Sequence, residues 1–82
     1  MRSEAGRVRA LGEAVRRRRE ELRLRQAEVA ELAGCSQRFV HQVEHGKSSS
    51  RLDKLLDVLE VLGLGLALVP GRGDIDAESR LG

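Results

Sequence analysis

Residues 26–44 read QAEVAELAGCSQRFVHQVE, from Gln26 to Glu44. Two short amphipathic periods flank the turn Ala33-Gly34-Cys35-Ser36. In the first, Gln26 to Ala33, the apolar positions are Val29, Ala30, Leu32 and Ala33, and Glu28 and Glu31 face out. Gly34 suits the positive φ that closes a helix, which only glycine adopts cheaply. Ser36 follows where an N-cap belongs, its hydroxyl placed to accept from backbone N–H groups of the next turn. The second period, Gln37 to about His45, buries Val40 and Val43 and stops before Gly46. Two helices across such a turn form a helix-turn-helix, whose second helix enters the DNA major groove.

The flanking segments supply the support. The chain shows no apolar period over residues 1–8, which predicts a flexible N-terminus. From Arg9 to Arg23, Leu11, Ala14, Val15 and Leu22 recur at helical spacing, with Arg18 and Arg19 on that side. Past Gly46, Lys47-Ser48-Ser49-Ser50 reads as a loop with Ser50 as N-cap. A helix from Arg51 to Leu62 carries the stripe Leu52, Leu55, Leu56, Leu59 and Leu62. After Gly63 the period changes. Leu64 to Val69 is apolar on both alternating faces and stops at Pro70, so it reads as a short buried strand. A lone strand leaves backbone groups unpaired. Pairing with a second copy, through Leu64, Leu66 and Leu68, resolves this; a frayed helix end is the alternative. The expected layout is a helix-turn-helix domain over 9–62, a dimerisation strand over 63–70 and a disordered polar tail over 71–82.

Eighty-two residues make one small domain in which a single core stabilises only marginally. One cysteine permits no internal disulfide, and no His/Cys cluster has zinc spacing. A lone cysteine and no secretory apolar segment suit a reducing cytoplasm. No apolar run reaches the roughly 20 residues that span a bilayer. The net charge of +2 hides a basic body: residues 7–25 hold eight arginines against three glutamates. Such a body suits phosphate contact with counterion release. Equally, the Arg16–Arg19 run is what a solvated helix face in an arginine-rich chain looks like.

With Val40 and Val43 inward, Gln37, Arg38, His41 and Gln42 are the base-reading candidates, ahead of His45. Gln pairs bidentately with adenine and Arg with guanine at major-groove edges. Phosphate contacts are expected from Gln26 at the start of its helix, where free N–H groups and the dipole favour an anion, and from Arg25, Ser36, Lys47, Ser48 and Arg51. Phe39, the only aromatic, lies one position off the Val40–Val43 stripe and is expected half-buried.

The pattern Gln26-x-x-Val29-Ala30-x-x-Ala33-Gly34-x-Ser36-x-x-x-Val40-x-x-Val43-Glu44-x-Gly46-Lys47 resembles the Cro/repressor-type (Xre) helix-turn-helix family, over about Arg9 to Leu62. The resemblance implies an all-α, lambda-repressor-like four-helix domain. It implies that Gln26 touches phosphate and that the first residues of the second helix read bases. It also implies an ion pair between Arg19 and Glu44, structural in role, since a partly buried carboxylate needs a cation. Two positions depart from the pattern: the family usually has Gly at Arg23 and Thr or Ser at Arg25, so the usual hydroxyl cap before Gln26 is missing. A short domain followed by a strand is most similar to the HipB-type antitoxins. That resemblance implies a homodimeric repressor of its own operon, bound to an inverted-repeat operator in double-stranded DNA and to a HipA-like kinase toxin.

Other signals carry little. Gly63-Leu64-Gly65 lacks the rest of a nucleotide-binding loop. Arg72-Gly73-Asp74 is a chance tripeptide. Cys35 reads as packing in the turn, and His41 with His45 makes only two metal ligands. No nucleophile, base and orienting group combine into an enzyme site, and no cofactor is implied. Two rival functions remain open beside the antitoxin: a protein-interaction module that keeps the fold without specific DNA binding, and a stand-alone phage-like repressor.

Overall fold

Val15, Val29, Ala30, Ala33, Val40, Val43, Leu55, Val58, Leu59 and Leu62 are withdrawn from solvent into a single core. The computed structural model describes residues 4–47 and 51–75, with side chains from Gly6 onward. They form four helices: α1 (Glu4–Glu21), α2 (Gln26–Ala33), α3 (Gln37–Glu44) and α4 (Leu52–Val61). The chain places α3 against α1 and α2, and α4 against α2.

All four helices close with one hydrogen-bond pattern, the paired 6→1 and 5→2 backbone bonds of a Schellman turn. After α2 these are Cys35 N–H to Ala30 O (3.0 Å) and Gly34 N–H to Glu31 O (3.3 Å). Lys47 and Gly46 repeat it after α3, and Leu64 and Gly63 after α4. The turn needs one residue with positive φ; Gly34, Gly46 and Gly63 supply it at φ 72°, 73° and 70°. After α1 the same position is Arg23, at φ 58°, with Leu24 N–H bonded to Arg19 O at 3.1 Å. An L-residue held there costs roughly 1–2 kcal/mol.

Several expectations from the sequence are corrected. The helix expected over Arg9–Arg23 runs from Glu4 to Glu21, so residues 4–8 continue it instead of fraying. Its first turns are tied down in tertiary structure, where the Arg7 guanidinium donates to Gly73 O at 3.2 Å. Leu22 falls beyond the helix end and is exposed. Leu32 of α2 is exposed too, because α3 and α4 cover only one side of that helix. In α4 the inward stripe is Leu55, Val58, Leu59 and Leu62, and Leu52 and Leu56 point out. Both stripes have i, i+3, i+4, i+7 spacing, so only the packing against α2 selects between them. The N-cap of α4 is Arg51, with no side-chain cap bond. Ser48, Ser49 and Ser50 lie outside the described residues.

Gly12 is buried in α1 where the helix crosses the end of α3. A Cβ there would come within 2.3 Å of Val43 O and 2.9 Å of Glu44 O. Glycine is what lets the two backbones meet.

The segment after α4 is expected to pair with a second copy, and one chain shows only its unpaired state. Leu64 rests half-buried on the core, but Leu66, Leu68 and Val69 are exposed, and no strand occurs among the described residues. Within one chain no neighbouring strand is available to complete a ladder, so the segment is not a buried strand there. Part of the polar tail is folded back: Gly73 meets Arg7 and Ile75 is half-buried. Residues 76–82 lie outside the described residues. No helix among the described residues is long and apolar enough to cross a membrane.

Candidate nucleic-acid interface

Helix α3 starts cleanly because Ser36 is extended (φ −82°, ψ 153°) and its Oγ accepts from Phe39 N–H at 3.0 Å. That bond leaves the Ser36 hydroxyl proton free to donate outward. Val40, Val43 and Glu44 form the buried side. Arg38, His41, Gln42 and His45 lie opposite, and Gln37 stands at the N-terminal end. Gln37, Arg38 and His41 are exposed, Gln42 is half-buried, and Phe39 is half-buried against the core. The candidate base readers therefore share one open side of α3, with Gln42 the least accessible. His41 and His45 stack, ring centroids 4.0 Å apart, and His45 Nδ1 lies 2.8 Å from His41 O. A carbonyl only accepts, so this contact places a proton on Nδ1. No third metal ligand joins them among the described residues.

The inner side of α3 is locked by a carboxylate. Arg19 reaches Glu44 with a two-pronged fork, Nε at 2.6 Å and Nη2 at 3.0 Å, and its Nη1 donates to Leu24 O at 2.9 Å. Gln26 Nε2 donates to Glu44 Oε1 at 3.0 Å. The Glu44 side chain is only 1% exposed. Burial by itself pushes the Glu44 carboxyl up, but the hydrogen bonds from Arg19 and Gln26, with the Arg19 and Arg16 charges, outweigh it and hold the group below its ordinary value. The Glu44 hydrogen bond in turn raises Arg19. No buried side-chain N or O among the described residues lacks a partner. Three helices thus converge on one carboxylate: α1 through Arg19, α2 through Gln26 and α3 through Glu44 itself, with Leu24 O of the α1–α2 corner holding Arg19 in place.

The phosphate candidates fall into distinct situations. One Gln26 amide proton is committed to Glu44; the second, with the open N–H groups of the first turn of α2, remains to donate. Arg25 occupies the N-cap of α2 and has no acceptor to cap with. Glu28 caps in the reverse sense, Oε1 accepting from Arg25 N–H at 2.8 Å and from Arg25 Nε at 3.3 Å. Those bonds, the backbone one first, hold the Glu28 carboxyl below its ordinary value. Lys47 is exposed directly after the α3 turn. Arg51 is exposed but forks onto Asp53 at 2.7 and 3.2 Å, a solvent pair that exchanges at little cost. Ser48 lies outside the described residues. Leu64, Leu66 and Leu68 belong to the segment after α4 and are not part of the α3 face.

Two cations hold the scaffold in ways the sequence did not signal. Arg18 Nε caps α4 by donating to Leu62 O at 2.9 Å, and Lys54 Nζ caps α2 by donating to Gly34 O at 3.1 Å. Each completes the C-terminus of a different helix, so local spacing carries no trace of it.

Residues 10–70 match the family model described as a helix-turn-helix domain. The chain is 42% identical over 62 residues to y4mF of Sinorhizobium fredii, named an uncharacterized HTH-type transcriptional regulator, covering 74% of this chain and 82% of that protein. Its fold is similar to a chain in a solved HipA–HipB–O2–O3 complex, with a TM-score of 0.72 at 21% identity over 88% of this chain and 96% of the other.

Proposed function

The chain belongs to the helix-turn-helix domain family of DNA-binding regulators, and from that premise we propose that it is a homodimeric, sequence-specific repressor serving as the antitoxin of a HipA-like kinase. The observation that carries the DNA-reading part is the arrangement of α3. Its inner side is fixed through Glu44 to two other elements, while Gln37, Arg38 and His41 stand open on the outer side. A rigid helix with an open polar face suits base-edge recognition, where each good bidentate pair discriminates by about 1–3 kcal/mol.

In this reading Gln37, Arg38, His41 and Gln42 meet bases, and Arg25, Gln26, Ser36, Lys47, Ser48 and Arg51 hold the phosphates on either side. Two copies pair through Leu64, Leu66 and Leu68. Three of the exposed apolar side chains, Leu66, Leu68 and Val69, sit in this one segment, which supports a second chain as their cover. Pairing sets two α3 helices about 34 Å apart for an inverted repeat. The antitoxin role is supported by the fold shared with a chain of the HipA–HipB–O2–O3 complex.

On a selected duplex, Gln37→Ala and Gln42→Ala relax base choice, whereas Lys47→Ala weakens all sequences alike and flattens the salt slope. Equal losses on selected and random duplexes for all three variants sink that division of labour. Co-purification with a HipA-like kinase encoded beside this gene tests the antitoxin role; a neighbourhood without such a gene removes it.

A further inference from the structure

We propose that Arg23 is a DNA-phosphate contact, retained at a strained corner for its charge; this rests on the DNA-binding reading above. The Schellman turn occurs four times among the described residues, and three of its left-handed positions are glycine. The fourth is Arg23, at φ 58°. A long cationic side chain is the wrong residue for that backbone, and strain of this kind persists where function requires the side chain.

Nothing among the described residues explains it. Arg23 is exposed, and among the described residues its guanidinium has no hydrogen-bond or ion-pair partner; Arg9, Arg17, Arg38 and Arg72 share that state, but of these five arginines only Arg23 sits at positive φ. The bond it makes among the described residues is through the backbone, N–H to Glu20 O at 3.0 Å. Its position bears on the reading head directly. The next residue, Leu24, accepts from Arg19, and Arg19 and Gln26 both grip Glu44 at the end of α3. Leu24 packs against the core, so Arg23 and Arg25 project on either side of an inward residue, immediately before the Gln26 end of α2. A free guanidinium there extends the line of phosphate donors by one residue and matches a phosphodiester oxygen with a planar fork.

The test compares Arg23→Gly, Arg23→Asn and Arg23→Lys in the full chain, by duplex binding across a salt series and by thermal unfolding. Arg23→Gly raises Tm because it relieves the backbone, yet it weakens duplex binding and lowers the slope of log K against log salt by about 0.9 per protomer. Arg23→Asn, which tolerates the left-handed region, loses the same slope, and Arg23→Lys keeps it. A purely structural residue moves stability and affinity together, not in opposite directions. Arg23→Gly or Arg23→Asn with the wild-type slope overturns the contact. A wild-type chain with no salt-dependent duplex binding overturns the DNA-binding reading itself, and this inference with it.

Discussion

At the junction of α1, α2 and α3 a carboxylate is buried, whereas after α4 a leucine, Leu68, stands fully in solvent. Each region inverts the usual preference of its residue. The difference lies in what meets the side chain. Glu44 accepts three hydrogen bonds from Arg19 and Gln26, so its desolvation is compensated within the chain. Among the described residues nothing apolar covers Leu66, Leu68 and Val69, which stay exposed. Among the described residues, then, the buried charge beside α3 is compensated within the chain, and the apolar segment that follows α4 is left in solvent.

The largest effect is expected at Glu44. Glu44→Ala strands the Arg19 cation in a mostly buried site and should cost about 3–5 kcal/mol in urea unfolding; a loss below 1 kcal/mol would mean the junction is not the lock described above. The pH dependence follows from the same group. The folded carboxyl lies below its ordinary value of 4.5, so its contribution is complete above that pH and disappears as pH falls through the depressed folded value. Glu44→Gln should therefore flatten the acid limb of the stability curve, and an unchanged limb would assign acid unfolding to other carboxylates.

Gly12→Ala comes next. Helix propensity alone favours alanine by up to ~1 kcal/mol, but the new methyl lands on Val43 O, and overpacking of that kind costs about 1–3 kcal/mol. A net loss of stability marks a true backbone contact between α1 and α3, and a gain would show that the helices separate freely. Ser36→Ala removes the cap on α3 and should cost about 1 kcal/mol, checked by the same denaturation series. The smallest effect on the fold is expected at Leu68→Asp, which should leave the unfolding of the single chain within about 0.5 kcal/mol. Its signature is elsewhere: sedimentation should show monomers. Leu66→Pro should do likewise, and an intact dimer in both variants would move the second chain off this segment.

How far the sequence discloses this arrangement differs by region. The ends of α3 are local events, a serine cap and a glycine turn, and residue spacing places both. The Arg19–Glu44 pair joins residues far apart in the chain, so it follows only from the family pattern, and the bond from Gln26 to the same carboxylate exists only once α2 and α3 are packed together. In α4 two overlapping leucine stripes are equally periodic, and only packing against α2 chose Val58 over Leu52 and Leu56. Gly12 carried no signal, because glycine within a helix looks like a weak point until the neighbouring backbone is in place. Arg23 is the reverse case. Its departure from the family glycine was visible in the sequence, but its meaning emerged once φ proved positive. The Leu64–Val69 segment is legible as apolar, but alternation reports two apolar faces without saying which chain covers them.

The central claim, that α3 of a paired protein reads DNA, is tested most directly by selecting bound duplexes from a random pool at near-physiological salt. The account predicts recovery of an inverted repeat with half-sites about one helical turn apart, and loss of that motif when Gln37 and Arg38 are replaced by alanine. Recovery of no motif, with only salt-sensitive background binding, would contradict it and leave the exposed face of α3 as a surface for a protein partner.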